Sequence, residues 1–142
     1  MIYTDMTKKA LKLCFEAHKD QVDKSGAPYV FHPFHLAEQM SDECTTIVAL
    51  LHDLVEDTNY TFDDLRSLGF SNEVITALKL LTHADGVPYM EYVKQIKSNP
   101  VAKAVKLADL KHNCDLSRLD VVDENALKRR EKYLAAIELL SD

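Results

Sequence analysis

The segment Thr46-Ile-Val-Ala-Leu-Leu-His52-Asp53-Leu-Val-Glu56-Asp57-Thr58 combines two features that oppose each other. Ile47 to Leu51 are uninterrupted apolar residues, and Leu54 and Val55 extend them. A helix apolar nearly all round is a buried one. The same stretch carries His52, Asp53, Glu56 and Asp57, with no Lys or Arg between Thr45 and Asn59. A buried, unpaired carboxylate either neutralises or finds a cation. A bound metal ion resolves the conflict with the fewest assumptions. On a continuous helix, His52 and Glu56 stack at i,i+4, as do Asp53 and Asp57, and both pairs open on one side of a pocket.

A second polar intrusion lies in Ala102-Lys-Ala-Val105-Lys106-Leu-Ala-Asp109-Leu-Lys-His112-Asn113. Asp109 interrupts a mainly apolar helical pattern, and Asn113 follows one turn later. His32, just before Pro33, can point from a helix entrance; His35 is its competitor. Together His32, His52, Asp53 and Asp109 make a mixed imidazole and carboxylate site. That donor set suits an octahedral ion such as Mn²⁺, and ligand type alone leaves Zn²⁺ and Fe²⁺ open. Water on such an ion is a stronger acid and a usable nucleophile. Glu56 and Asp57, not needed as ligands, are free to orient that water or take its proton.

Several short helices must position these groups. The first is expected to start after Thr4 or Asp5. The next runs from Pro33 to about Met40, with Pro33 in its first position. One helix is expected from about Thr45 to Asp57. Thr61-x-x-Asp64 reads as a capping box. Ser71 caps a helix to about Leu81, and Pro88 opens one to about Lys97. Asn99-Pro100 opens another to about Cys114, and Asp123 caps the last, to about Leu140. No segment alternates with period two, so the expectation is an all-α bundle. Lys128-Arg129-Arg130 is expected on the solvated face of the last helix, and His18, His83 and His112 in structural roles.

Composition agrees. The chain has 142 residues, 46% of them hydrophobic, with 3 Gly and 4 Pro. That suits one domain of helices and short loops better than a many-stranded barrel. A net charge of −6 excludes a basic nucleic-acid footprint. No apolar run reaches membrane-spanning length, and the N-terminus lacks a signal-peptide apolar region. Cys14, Cys44 and Cys114 are scattered and read as reduced, buried thiols in a cytoplasmic protein.

Three ordered blocks carry a resemblance. They are His18-x-x-Gln21-x-x-Lys24-Ser25-Gly26-x-Pro28-Tyr29-Val30-x-His32-Pro33, Leu51-His52-Asp53-x-Val55-Glu56-Asp57-Thr58 and Val105-Lys106-Leu107-Ala108-Asp109-x-x-His112-Asn113. They resemble the HD superfamily of metal-dependent phosphohydrolases, and within it the (p)ppGpp hydrolase domain of Rel/Spo proteins and the small stand-alone alarmone hydrolases. The resemblance implies a compact HD-domain helical bundle over residues 1–142. It implies Mn²⁺ on His32, His52, Asp53 and Asp109, and Glu56 and Asp57 as the catalytic pair. It places Lys24 and Asn113 against a small nucleotide substrate, from whose ribose 3′ position pyrophosphate is removed. A chain of this length is expected to act only in alarmone breakdown; its oligomeric state stays open. One departure stands out. The family carries a basic residue where this chain has Asp23, and an acid there repels a highly charged alarmone. The alternatives are a nucleotidase or other phosphoesterase on a different nucleotide, and a nucleotide-binding protein without turnover.

Overall fold

The architecture follows from where the caps fall. In a computed structural model that describes residues 1–142, nine α-helices run in order with no strand. They are α1 (Asp5–His18), α2 (Phe31–Glu38), α3 (Glu43–Leu51), α4 (Leu54–Asp57), α5 (Phe62–Ser67), α6 (Asn72–Leu81), α7 (Tyr89–Ile96), α8 (Pro100–Asn113) and α9 (Glu124–Ser141). A single 3₁₀ turn, Leu116–Arg118, lies between α8 and α9. The all-α expectation holds.

Side chains accept hydrogen bonds from free N–H groups at the start of six of these helices, α1, α3, α5, α6, α8 and α9. Thr4 and Thr61 each form a reciprocal capping box. Ser71, Asn99 and Asp123 accept hydrogen bonds from Val74, Ala102 and Ala126 respectively. Two expected boundaries are wrong. Helix α2 begins at Phe31, not Pro33, because the Tyr29 carbonyl already accepts the His32 N–H at 2.9 Å. The helix expected over Thr45–Asp57 is two helices. It breaks at His52 and Asp53, where Asp53 takes φ −104° and ψ 3°.

Helix α3 is the centre. Every residue from Thr45 to Leu51 is buried, and the helix packs against α1, α2, α6 and α8. Leu50 and Leu51 are essentially inaccessible. Each such leucine contributes roughly 1.5–3 kcal/mol relative to an exposed one. The remaining core draws on every other helix, among them Cys14, Leu36, Leu54, Leu65, Leu78, Ile96, Val105, Leu110 and Leu140. Of the three thiols expected to be buried, Cys44 and Cys114 are only part-buried. The break after Leu51 thus sits where a fully apolar helix leaves the core, and it turns His52 and Asp53 toward α2 and α8. No helix is long and apolar enough to cross a membrane.

Candidate metal centre and active site

Three elements meet at one buried point. Helix α2 brings His32, the end of α3 brings His52, and α8 brings Asp109. Their ligand-type atoms lie within 4.8 Å of one another, and all three residues are buried. Asp53 adjoins this triad: its Oδ2 stands 3.1 Å from His52 Nε2, with Asp109 Oδ1 at 3.6 Å from the same nitrogen.

The ring of His52 has a defined orientation. Its Nδ1–H donates to the Ala49 carbonyl at 2.7 Å. The neutral ring then carries no proton on Nε2, which points its lone pair at two carboxylates. That nitrogen is buried and has no hydrogen-bond partner. An acceptor facing acceptors requires a positive charge between them, either a proton or a cation. Without an ion the ring takes the first course. Burial pushes the His52 imidazole down, but Asp53 and Asp109 outweigh it and hold it well above its ordinary range. Two imidazoles and one or two carboxylates are a fitting donor set for a divalent ion.

Asp109 is held from several sides. Lys106 Nζ donates to its Oδ2 at 3.0 Å, and Asn113 Nδ2 and His32 Nε2 approach its Oδ1 at 3.0 and 2.9 Å. Burial raises the Asp109 carboxyl, yet Lys106, His32 and His52 hold it well below the usual carboxylate range. Lys106 in turn lies near the faces of Tyr92 and Tyr89. Burial lowers the Lys106 ammonium, while Asp109 and the two tyrosines raise it further, so it stays charged. Tyr29 donates its hydroxyl to Asp53 Oδ2. Burial and Asp53 push that phenol up, so it remains a donor.

Glu56 and Asp57 lie on the surface turn of α4, beside this centre but not in it. The His83 backbone N–H holds Glu56 Oε1. Partial burial raises the Glu56 carboxyl, His83 opposes, and Asp53 and Asp57 add to the rise. Burial and Asp53 raise Asp57 as well, against His18 and His52. Because the helix breaks at His52, the two i,i+4 pairs do not share one continuous helical face. The Asp57 N–H still reaches the Asp53 carbonyl at 3.0 Å, so the acids stay close.

A cavity of about 330 Å³ opens from His32. Lys24 and Asn113 line it, as do Asp23, Tyr29, Arg118, Arg129 and Tyr133. Arg129 is therefore partly on a cavity wall rather than wholly on the solvated face of α9. Burial lowers the Lys24 ammonium, Arg129 and Lys132 lower it further, and Asp123 opposes. Arg118 donates to the His112 carbonyl at 3.0 Å and to Asn113 Oδ1 at 3.3 Å. His35, the competitor of His32, is exposed and stacks on His112 with centroids 4.1 Å apart.

Known proteins share this arrangement of chain. Over 124 residues the chain is 36% identical to the guanosine-3′,5′-bis(diphosphate) 3′-pyrophosphohydrolase MESH1 of Xenopus tropicalis, covering 78% of this chain and 69% of that protein. The Danio rerio MESH1 is 35% identical over 129 residues, covering 81% and 71%. The chain belongs to this MESH1 family. It is also 33% identical over 139 residues to a probable GTP pyrophosphokinase of Mycobacterium leprae, where it covers 89% of this chain but spans only 18% of that protein. A solved metazoan orthologue of SpoT, described as hydrolysing ppGpp with a role in starvation responses, has the same fold. The TM-score is 0.77 at 24% identity, over 99% of this chain and 85% of that one. No protein-family model matches the chain.

Proposed function

We propose that residues 1–142 act as one HD-type domain, a divalent-metal-dependent phosphohydrolase of the MESH1 kind. On this reading it removes pyrophosphate from the ribose 3′ position of guanosine-3′,5′-bis(diphosphate), in the cytoplasm. The observation that carries it is the buried His52 Nε2, without a donor and turned toward Asp53 and Asp109, beside a cavity with cations on its wall. His32, His52, Asp53 and Asp109 would hold the ion, which we take to be Mn²⁺. When bound, such an ion supplies positive charge against phosphate and makes water a stronger acid.

The chain's own residues do the rest. Glu56, with its raised carboxyl, takes the proton of the attacking water, and Asp57 orients that water. The water oxygen bonds to phosphorus as the bond to the ribose 3′ oxygen breaks. That oxygen leaves as a hydroxyl, taking the proton that Glu56 received from the water. Lys24 offsets phosphate charge at the cavity mouth. Asn113 contacts substrate with whatever capacity Asp109 and Arg118 leave it.

The test is a Mn²⁺-supplemented panel of ppGpp, pppGpp and nucleoside mono-, di- and triphosphates, with product analysis. Pyrophosphate release from ppGpp that disappears on chelation, and in His52→Ala, is expected. Release that persists in metal-stripped protein refutes the mechanism. A second reading, a phosphoesterase for a less charged nucleotide, rests on Asp23 in the cavity wall. Asp23 Oδ1 accepts the Ser25 and Ala27 N–H groups at 2.9 and 3.0 Å. Asp23→Asn keeps an acceptor for this loop and removes the charge. Turnover of ppGpp that rises in this variant favours the second reading for the native chain.

A further inference from the structure

His112 is one turn beyond Asp109 on α8 and takes no part in the ligand set above. Its Nδ1 lies 2.7 Å from Nδ1 of His32. The two rings are parallel within 5° with centroids 5.0 Å apart. With the nitrogens so much closer than the centroids, the rings meet edge to edge in one plane, the geometry of an imidazole–imidazole hydrogen bond. The opposite nitrogen of His32, Nε2, faces Asp109.

We propose that His112 is a positioning residue for the metal centre: its Nδ1 accepts the Nδ1–H of His32 and so keeps the Nε2 lone pair of His32 turned inward. The inference rests on the metal-site reading above. A neutral imidazole carries one proton. A cation held by His32 Nε2 would exclude the proton from that nitrogen, and the proton would then sit on Nδ1. There the structure offers His112 Nδ1 as the partner, and an imidazole accepts at Nδ1 only when its own proton is on Nε2. Loading the site therefore selects one tautomer for each ring, with no change in the number of protons on the pair. With an apolar side chain at position 112, the Nδ1–H of His32 loses its acceptor. The ring then favours its proton on Nε2, the form that cannot bind metal. Outer partners of this kind typically set about 10–100-fold in metal affinity. His35 stacks on the face of His112 and Arg118 binds its carbonyl, which hold the ring in place.

The experiment is calorimetric titration of metal-stripped protein with Mn²⁺ and with Zn²⁺, for the wild type, His112→Phe and His112→Asn. His112→Phe is expected to weaken binding about 10–100-fold, and His112→Asn, which retains an acceptor, to recover part of the loss. Proton–nitrogen correlation spectra of the histidine rings in Zn²⁺-loaded wild type need no variant to fold. They are expected to show His32 protonated at Nδ1 and His112 at Nε2. A Phe variant that binds as tightly as wild type, or a loaded wild type with His112 protonated at Nδ1, overturns the proposal. A wild type that binds neither ion overturns the metal site itself, and this inference with it.

Discussion

Lys106→Met tests how the carboxylate of Asp109 is kept charged inside the protein. The Nζ to Oδ2 separation is 3.0 Å, with side-chain exposures of 13% and 8%. At an effective dielectric constant near 20, two charges this close attract by about 5 kcal/mol, which sets the scale before desolvation. Removing one partner of a buried pair costs about 3–5 kcal/mol, because the other charge stays behind. Asp109 keeps Asn113 and His32 on its Oδ1, so the lower end applies, about 3 kcal/mol. Methionine preserves the stem that packs under Tyr92 and Tyr89, so packing loss adds little. In chelator-treated protein this should lower the melting temperature by about 10 °C, read by circular dichroism. A double-mutant cycle with Asp109→Asn should return a coupling of about 2 kcal/mol. Divalent ion should restore part of the stability, since it replaces the missing positive charge and binds only the folded state. A loss below about 1 kcal/mol, or an additive cycle, refutes the argument that Lys106 holds this carboxylate.

Burial, followed by Arg118, His32 and His35, depresses the His112 imidazole from 6.5 to about 4. A depressed group stabilises the fold fully above its unfolded pKa and loses that contribution as pH falls through the folded one, so metal-free protein should weaken between these two values. The residue is only part-buried, so after screening about 1–2 kcal/mol is expected in urea titrations, and His112→Phe should flatten the slope; parallel curves refute the assignment. The raised Glu56 carboxyl must be ionised to act as a base, so kcat/KM should fall as pH drops through a value above the ordinary glutamate range. Glu56→Gln should remove that acid limb and lower kcat about 10²–10⁴-fold; an unchanged limb assigns it to another group. Leu50→Ala, at the inaccessible centre of α3, should cost about 2–5 kcal/mol in denaturant titrations.

Much of the scaffold was legible because it is local. Thr4, Thr61, Ser71, Asn99 and Asp123 announce helix starts by side-chain chemistry acting within three residues, and all five do cap. The break at His52 was not legible. The apolar pattern runs through it, and periodicity carries no mark of where a helix must turn to present a side chain to two others distant in sequence. The partners of the site were hidden for the same reason. Tyr29 reaches Asp53 across 24 positions and His112 meets His32 across 80, separations at which spacing conveys nothing. A faint signal existed for His112: it follows Asp109 at i+3 and so stands one turn away on the same side of α8.

Asp23 shows how far charge counting reaches. Treated as a free anion, it opposes any multiply charged nucleotide. In the fold, one of its oxygens is occupied by the amides of Ser25 and Ala27, and its own N–H donates to the Ala27 carbonyl at 2.8 Å. Gly26 closes this turn at φ +84°, a conformation that side chains with a Cβ resist. Ser25 Oγ then accepts the Asp120 N–H at 3.1 Å, fastening the loop to the segment that leads into α9. Asp23 thus builds the turn that carries Lys24 to the cavity mouth. An arginine in its place would add a cation but release the turn that positions the existing one. The residue's charge and its geometry pull in opposite directions on a phosphate ligand, and only a substitution that separates them, as asparagine does, reports on either.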